Sequence, residues 1–132
     1  MTGLNRVMHV EDDPSIRAIA KIAIETVGGL TLLSCASGEE ALQKVQDFSP
    51  ELILLDVMMP GMDGPSTLAR LATLVDLGKV PVLFMTAKVQ SSEIAALLAL
   101  GAAGVVTKPF DPMQLADELR HHWSIHHAIQ GR

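Results

Sequence analysis

The chain has 132 residues, of which 48% are hydrophobic, enough for one domain with a proper core and too short for two of ordinary size. That hydrophobic content excludes a disordered tail. With 15 acidic against 10 basic residues, a charge of -5, one tryptophan and no tyrosine, neither a basic nucleic-acid face nor a base-stacking platform is expected.

In chain order, Arg6 to Val10 is a short apolar run and reads as the first strand. Asp13 then caps a helix whose first position is Pro14, where the missing N–H costs nothing. Ile16, Ile19, Ala20, Ala23 and Val27 recur at helical spacing and predict its buried face. Gly28 and Gly29 end it. Leu30 to Ala36 reads as the second strand. The lone Cys35 lies inside it and is expected to be a small core hydrophobe rather than a redox site. Ser37 and Glu40 form a capping box for a second helix through about Asp47, with Leu42, Val45 and Phe48 facing inward.

Leu52 to Leu55 is wholly apolar, as a central parallel strand covered on both faces must be. A loop with Pro60, Gly61 and Gly64 leads to a third helix starting at Pro65 and carrying Leu68, Leu71 and Leu74. Val80 to Met85 reads as the fourth strand. Ser91 or Ser92 caps a fourth helix, with Ile94, Leu97, Leu98 and Leu100, ending near Gly101. Gly104 to Thr107 reads as the fifth strand. Asp111 and Pro112 open a last helix, with Leu115 and Leu119 on one face, running to about His127. No apolar run approaches the ~20 residues that span a bilayer. Met1 to Arg6 lacks a charged-then-apolar leader, so a cytoplasmic location without membrane contact is expected.

Five strand–helix alternations imply an α/β domain with a doubly wound parallel sheet and helices on both faces. In such sheets the site lies at the carboxyl ends of the strands. Those ends carry Glu11, Asp12 and Asp13, then Asp56, then Thr86 and Ala87, then Lys108 and Pro109. Crowded carboxylates repel one another, a conflict that a cation between them relieves. Hard oxygen ligands suit Mg²⁺, a lysine suits a phosphoryl oxygen, and a hydroxyl adds a donor. The combination fits phosphoryl transfer to a carboxylate.

Four stretches carry a resemblance: Val10-Glu11-Asp12-Asp13-Pro14, Leu55-Asp56-Val57-Met58-Met59-Pro60-Gly61-Met62-Asp63-Gly64, Met85-Thr86-Ala87 and Lys108-Pro109-Phe110. In order, each behind a strand, they make residues 5–127 similar to a response-regulator receiver domain of the chemotaxis-regulator (CheY-like) type, with a tail at 128–132 and no output domain. The resemblance implies a flavodoxin-like sheet of strand order 2-1-3-4-5. It further implies that Asp56 is the phosphoacceptor, and that Glu11, Asp12, Asp56 and the carbonyl of Met58 hold Mg²⁺. Thr86 would bind the phosphoryl group and shift on activation, with Ala87 contacting it through its backbone. Lys108 would pair with a phosphoryl oxygen, Pro109 would be cis, and Gly64 would permit the tight turn into the third helix. The implied partners are a sensor histidine kinase or histidine phosphotransfer protein and a downstream protein. The face formed by helix four, strand five and helix five is a frequent dimer or partner surface in that family. The implied role is a signalling switch that assists its own phosphorylation and dephosphorylation, rather than an enzyme.

Val105, two residues before Thr107, stands where that family usually carries an aromatic switch residue, and valine has no large rotamer swing to offer. Met58 and Lys88 lie near the family's hydrolysis-tuning positions. His9 reads as structural. His122 and His126 are one turn apart, but a solvated helix end is the expected setting for them and for His121 and His127. Two rival classes fit less well. An aspartate-nucleophile phosphohydrolase usually has a second aspartate where this chain has Met58. A flavin binder would need a phosphate loop where the acidic Glu11-Asp12-Asp13 stands.

Overall fold

The computed structural model describes residues 3–130. Met1 and Thr2 of the expected leader-free start, and Gly131 and Arg132 of the expected tail, lie outside them. Five strands, β1 (Arg6–Val10), β2 (Thr31–Cys35), β3 (Leu52–Asp56), β4 (Val82–Thr86) and β5 (Gly104–Thr107), pair in parallel in the order β2-β1-β3-β4-β5. The helices are α1 (Pro14–Lys21), α2 (Gly38–Phe48), α3 (Gly64–Leu71), α4 (Ser91–Ala99) and α5 (Leu115–Gln130). None of the described helices is long and apolar enough to cross a membrane.

Every residue of β3 and β4 is buried, because helices cover both faces of the sheet. The side-chain period of two splits them between two cores. Leu52, Leu54, Leu83 and Met85 pack with Ala20, Ala23, Ile24, Leu115 and Leu119 of the α1–α5 side. Ile53, Leu55, Val82 and Phe84 pack with Ala41, Val45, Leu68 and Leu71 of α2 and α3. Cys35 is buried in that second core, and loss of solvent pushes its thiol up to about 11, as befits an inert core side chain.

Several elements differ from the sequence expectation. The first helix is α-helical only to Lys21 and continues as a π-helical segment, Ile22–Val27. Wider π turns rotate the side chains out of the 3.6-residue pattern. Val27 is therefore left exposed, while Ile24, four residues after Ala20, stays in the core; Ile19, at the edge of the α1 stripe, is exposed as well. Neither Ser91 nor Ser92 caps α4. Gln90 holds the N-cap position and makes no side-chain bond there. Asp111 and Pro112 form a turn, closed by Met113 N–H donating to Asp111 Oδ1 at 2.8 Å, and α5 begins at Leu115. At its other end α5 runs past His127 to Gln130, because Ala128, Ile129 and Gln130 give it no stop signal. The capping box at α2 forms: Glu40 N–H donates to Ser37 Oγ at 3.1 Å, and Ala36 N–H to Glu40 Oε1 at 2.8 Å.

Gly64 opens α3, behind the Asp63 cap, against the end of β3. Its N–H donates to Val57 O at 2.9 Å, and a Cβ there would sit 2.8 Å from Val57 Cα. Gly64→Ala must push α3 off the β3 terminus. Overpacking of this kind costs about 2 kcal/mol. The check is a urea midpoint beside that of Gly61→Ala, whose site is spacious but has φ of 74° and should cost about 1 kcal/mol. An unchanged Gly64→Ala midpoint would refute the close-approach account.

Candidate functional site

Strand order reverses between β1 and β3, so their carboxyl ends open a crevice. Glu11 follows β1 and Asp56 ends β3. Both are buried, at 1% and 3% exposure, where isolated carboxylates would be costly. With half-buried Asp12 they bring three carboxylate oxygens within 4.8 Å of one another. Lys108, just beyond β5, reaches across the sheet end. Its ammonium donates to Asp56 Oδ1 at 2.9 Å and lies 3.0 Å from Glu11 Oε1. The second contact lacks hydrogen-bond geometry and leaves Glu11 Oε1 buried without a hydrogen-bond partner.

The electrostatics follow from this crowding. Burial pushes the Asp56 carboxyl above its ordinary value, against the opposing hydrogen bond from Lys108. Burial likewise raises Glu11, again opposed by Lys108. For Lys108 burial pulls downward, but the two carboxylates outweigh it and the ammonium is held above the usual lysine range. Three carboxylates against one ammonium leave two negative charges when all are ionised. That residual negative charge and the oxygen-only donor set fit one small, hard divalent cation.

The remaining residues singled out in the sequence gather around the same end. A pocket of about 150 Å³ is lined by Asp56, Met58, Thr86, Ala87, Lys88 and Lys108, among others. Thr86 is buried at the end of β4, and its Oγ1 accepts from Lys88 N–H at 3.0 Å. The Lys108–Pro109 bond is cis. Val105 is half-buried in β5, paired in register with Phe84. Asp13 stays apart as a helix cap, accepting from Ser15 N–H at 2.8 Å. The histidines of α5 are remote from this crevice. Nε2 of His126 bonds the carbonyls of Leu77 and Gly78, before β4, toward the amino ends of the strands. Two side chains were missed in the sequence. One is Asp63, which caps α3 through Ser66 N–H. The other is Arg17, whose Nη1 donates to the carbonyls of Glu11 and Asp12. A long basic side chain one turn into the helix behind an acidic run was the available signal.

A family model described as the response regulator receiver domain matches residues 7–120. Among curated relatives, the transcriptional regulatory protein YvrH of Bacillus subtilis is 36% identical over 118 residues, covering 88% of this chain and 48% of its own. The DNA-binding response regulator MtrA of Mycolicibacterium smegmatis is 36% identical over 115 residues, covering 87% and 49%. The chain thus spans about half the length of these relatives. Among solved structures, chemotaxis protein CheY4 of Vibrio cholerae superposes with a TM-score of 0.82 at 29% identity, covering 89% of this chain and 98% of that one.

Proposed function

Because this chain belongs to the response regulator receiver domain family, whose members are phosphoacceptors of two-component signalling, we propose that Asp56 accepts a phosphoryl group from a histidine kinase or phosphotransfer protein. The observation that carries this reading is the Lys108–Asp56 bond of 2.9 Å inside a cluster of three carboxylates, two of them buried. It joins the ends of β5 and β3 at the crevice between the strands.

A carboxylate oxygen of Asp56 attacks the phosphorus in line as the bond from phosphorus to the donor imidazole nitrogen breaks, and that imidazole leaves neutral once protonated. Lys108 holds a phosphoryl oxygen, and the Thr86 hydroxyl and Ala87 backbone N–H offer donors to the others. The residues that would hold Mg²⁺ are Glu11, Asp12, Asp56 and the Met58 carbonyl. When bound, the ion neutralises charge on the transferring group. Water later hydrolyses the acyl phosphate and resets the domain.

An apolar groove beside Lys108, lined by Ile16 and Ile19 of α1 and by Pro109, Phe110 and Pro112, supports docking of the phosphodonor against this edge. For output, the exposed Leu98 and Leu100 beside β5 support the α4–β5–α5 face as the dimer or partner surface. Val105 then serves by packing rather than by swinging. The acidic charge of the chain favours protein over nucleic acid as its direct contact. The domain acts as a switch in the cytoplasm, extends over residues 5–127, and does not turn over a pool of substrate.

The test is intact mass after incubation with acetyl phosphate, with and without Mg²⁺, beside Asp56→Asn. We expect a single phosphoryl adduct that requires Mg²⁺ and is absent from the variant. An adduct of equal yield on Asp56→Asn would remove Asp56 from the role. Sustained release of many equivalents of phosphate would favour a phosphohydrolase instead.

A further inference from the structure

The acidic turn after β1 has a second support besides its own side chains. Arg17 is the fourth residue of α1, and its N–H closes the first helical turn onto Asp13 O at 3.0 Å. Its half-buried guanidinium then folds back over that turn. A single nitrogen, Nη1, donates to Glu11 O and to Asp12 O, both at 2.8 Å. Two consecutive carbonyls converging on one donor fix the relative orientation of two successive peptide planes. Those planes set the directions in which the Glu11 and Asp12 side chains leave the backbone. Asp13 N–H reaches Glu11 Oε2 at 3.2 Å and pins the far end of the first of them.

Building on the receiver reading, we propose that Arg17 is a positioning residue for the cation site: through the main chain of Glu11 and Asp12 it pre-organises the carboxylates that hold the metal. No hydrogen bond joins Arg17 to a carboxylate among the described residues, so it acts through the backbone. Charged donors to carbonyls are about twice as strong as neutral ones. The partly buried setting keeps water from replacing them freely. Supporting groups one step removed from a metal change its affinity about 10- to 100-fold when lost.

The geometry makes a distinctive demand on substitutions. Both bonds come from one nitrogen, so the ammonium of Arg17→Lys offers the donors that a guanidinium does. The unbranched, apolar Arg17→Met fills similar space and offers none. A residue needed only for packing would show the reverse order.

The test counts bound Mn²⁺ by electron paramagnetic resonance on the full chain, without any phosphoryl donor, for the parent, Arg17→Met and Arg17→Lys. Thermal midpoints in chelator run in parallel, and the Mg²⁺ dependence of adduct formation is read afterwards. The expected result is about tenfold weaker Mn²⁺ binding in Arg17→Met, with Arg17→Lys within about threefold of the parent. The adduct rate of Arg17→Met at saturating Mg²⁺ should approach that of the parent. Parent-like Mn²⁺ binding by Arg17→Met would overturn the proposal while leaving the receiver reading intact. Equal weakening in both variants, tracking a fall in thermal midpoint, would also overturn it and assign Arg17 a general structural role. A parent that binds no Mn²⁺ would overturn the metal site, and this inference with it.

Discussion

Lys108→Met is expected to slow formation of the phosphoryl adduct by about 10² to 10³ at saturating Mg²⁺, the typical loss for one pre-organised donor to a developing charge. The ammonium lies 2.9 Å from Asp56 Oδ1, so it neighbours any group that Asp56 acquires. The cation should still bind, since removing a competing positive charge leaves the three carboxylates more negative. Metal-free stability should fall by about 2 kcal/mol at neutral pH, less than for a fully buried pair because the Lys108 side chain keeps 21% exposure. The pH dependence has a definite sign. Asp56 and Glu11 have raised folded pKa values, so the folded state binds more protons than the unfolded chain above the ordinary values of 3.8 and 4.5. Stability from these groups is therefore lost as pH rises through that window, and Lys108→Met should deepen the loss. Intact-mass time courses and urea midpoints at two pH values check both parts. A variant rate within threefold of the parent would remove Lys108 from the chemistry.

The second large effect belongs to His9. It lies in β1, fully buried, in register with Ser34 of β2, and neither its ring nitrogens nor Ser34 Oγ have a hydrogen-bond partner. Burial, reinforced by the charges of Lys108 and Arg17, lowers its pKa from 6.5 to about 4. The sign is opposite to that of the carboxylates. As pH falls from about 6.5 to about 4 the unfolded chain takes up a proton that the folded chain refuses, so stability is lost on acidification. The full loss is about 3 kcal/mol. His9→Leu abolishes this part of the acid limb and removes unpartnered polar atoms from the core, so the variant should be no less stable than the parent at pH 7. Chemical denaturation at pH 7 and pH 4.5 separates the two, and an equal acid loss in parent and variant would exclude His9 as its source.

The strands were legible because each is a short apolar run, and Leu52 to Leu55 could be placed at the centre of the sheet by its lack of polar alternation alone. That Asp56, Thr86 and Lys108 gather at one end of the sheet was legible because each stands at, or just beyond, the carboxyl end of a strand. The strand order came from the family resemblance, since no local property of β2 says that it pairs with β1. The π-helical segment was hidden because Ala20, Ala23 and Val27 satisfy an ordinary helical pattern, which gives no sign that Val27 will be turned outward. Serine propensity misplaced the α4 cap at Ser91 or Ser92, since a cap depends on backbone angles that the chain adopts only at Gln90. The Arg17 clamp was hidden because its acceptors are carbonyls, which every residue has.

No side chain of α4 is fully buried, and its first turn has no side-chain cap. Resistance to local opening scales with such anchors, so α4 is expected to open before the rest of the domain. The amides of α4 should exchange with deuterium well before those of β3 and β4, whose residues are all enclosed. Seen as a landscape, the protein is a stiff sheet with one lightly tethered helix. For the proposed switch, the expected consequence is that a small free energy delivered at the Asp56 end raises α4 amide exchange while that of β3 and β4 stays fixed.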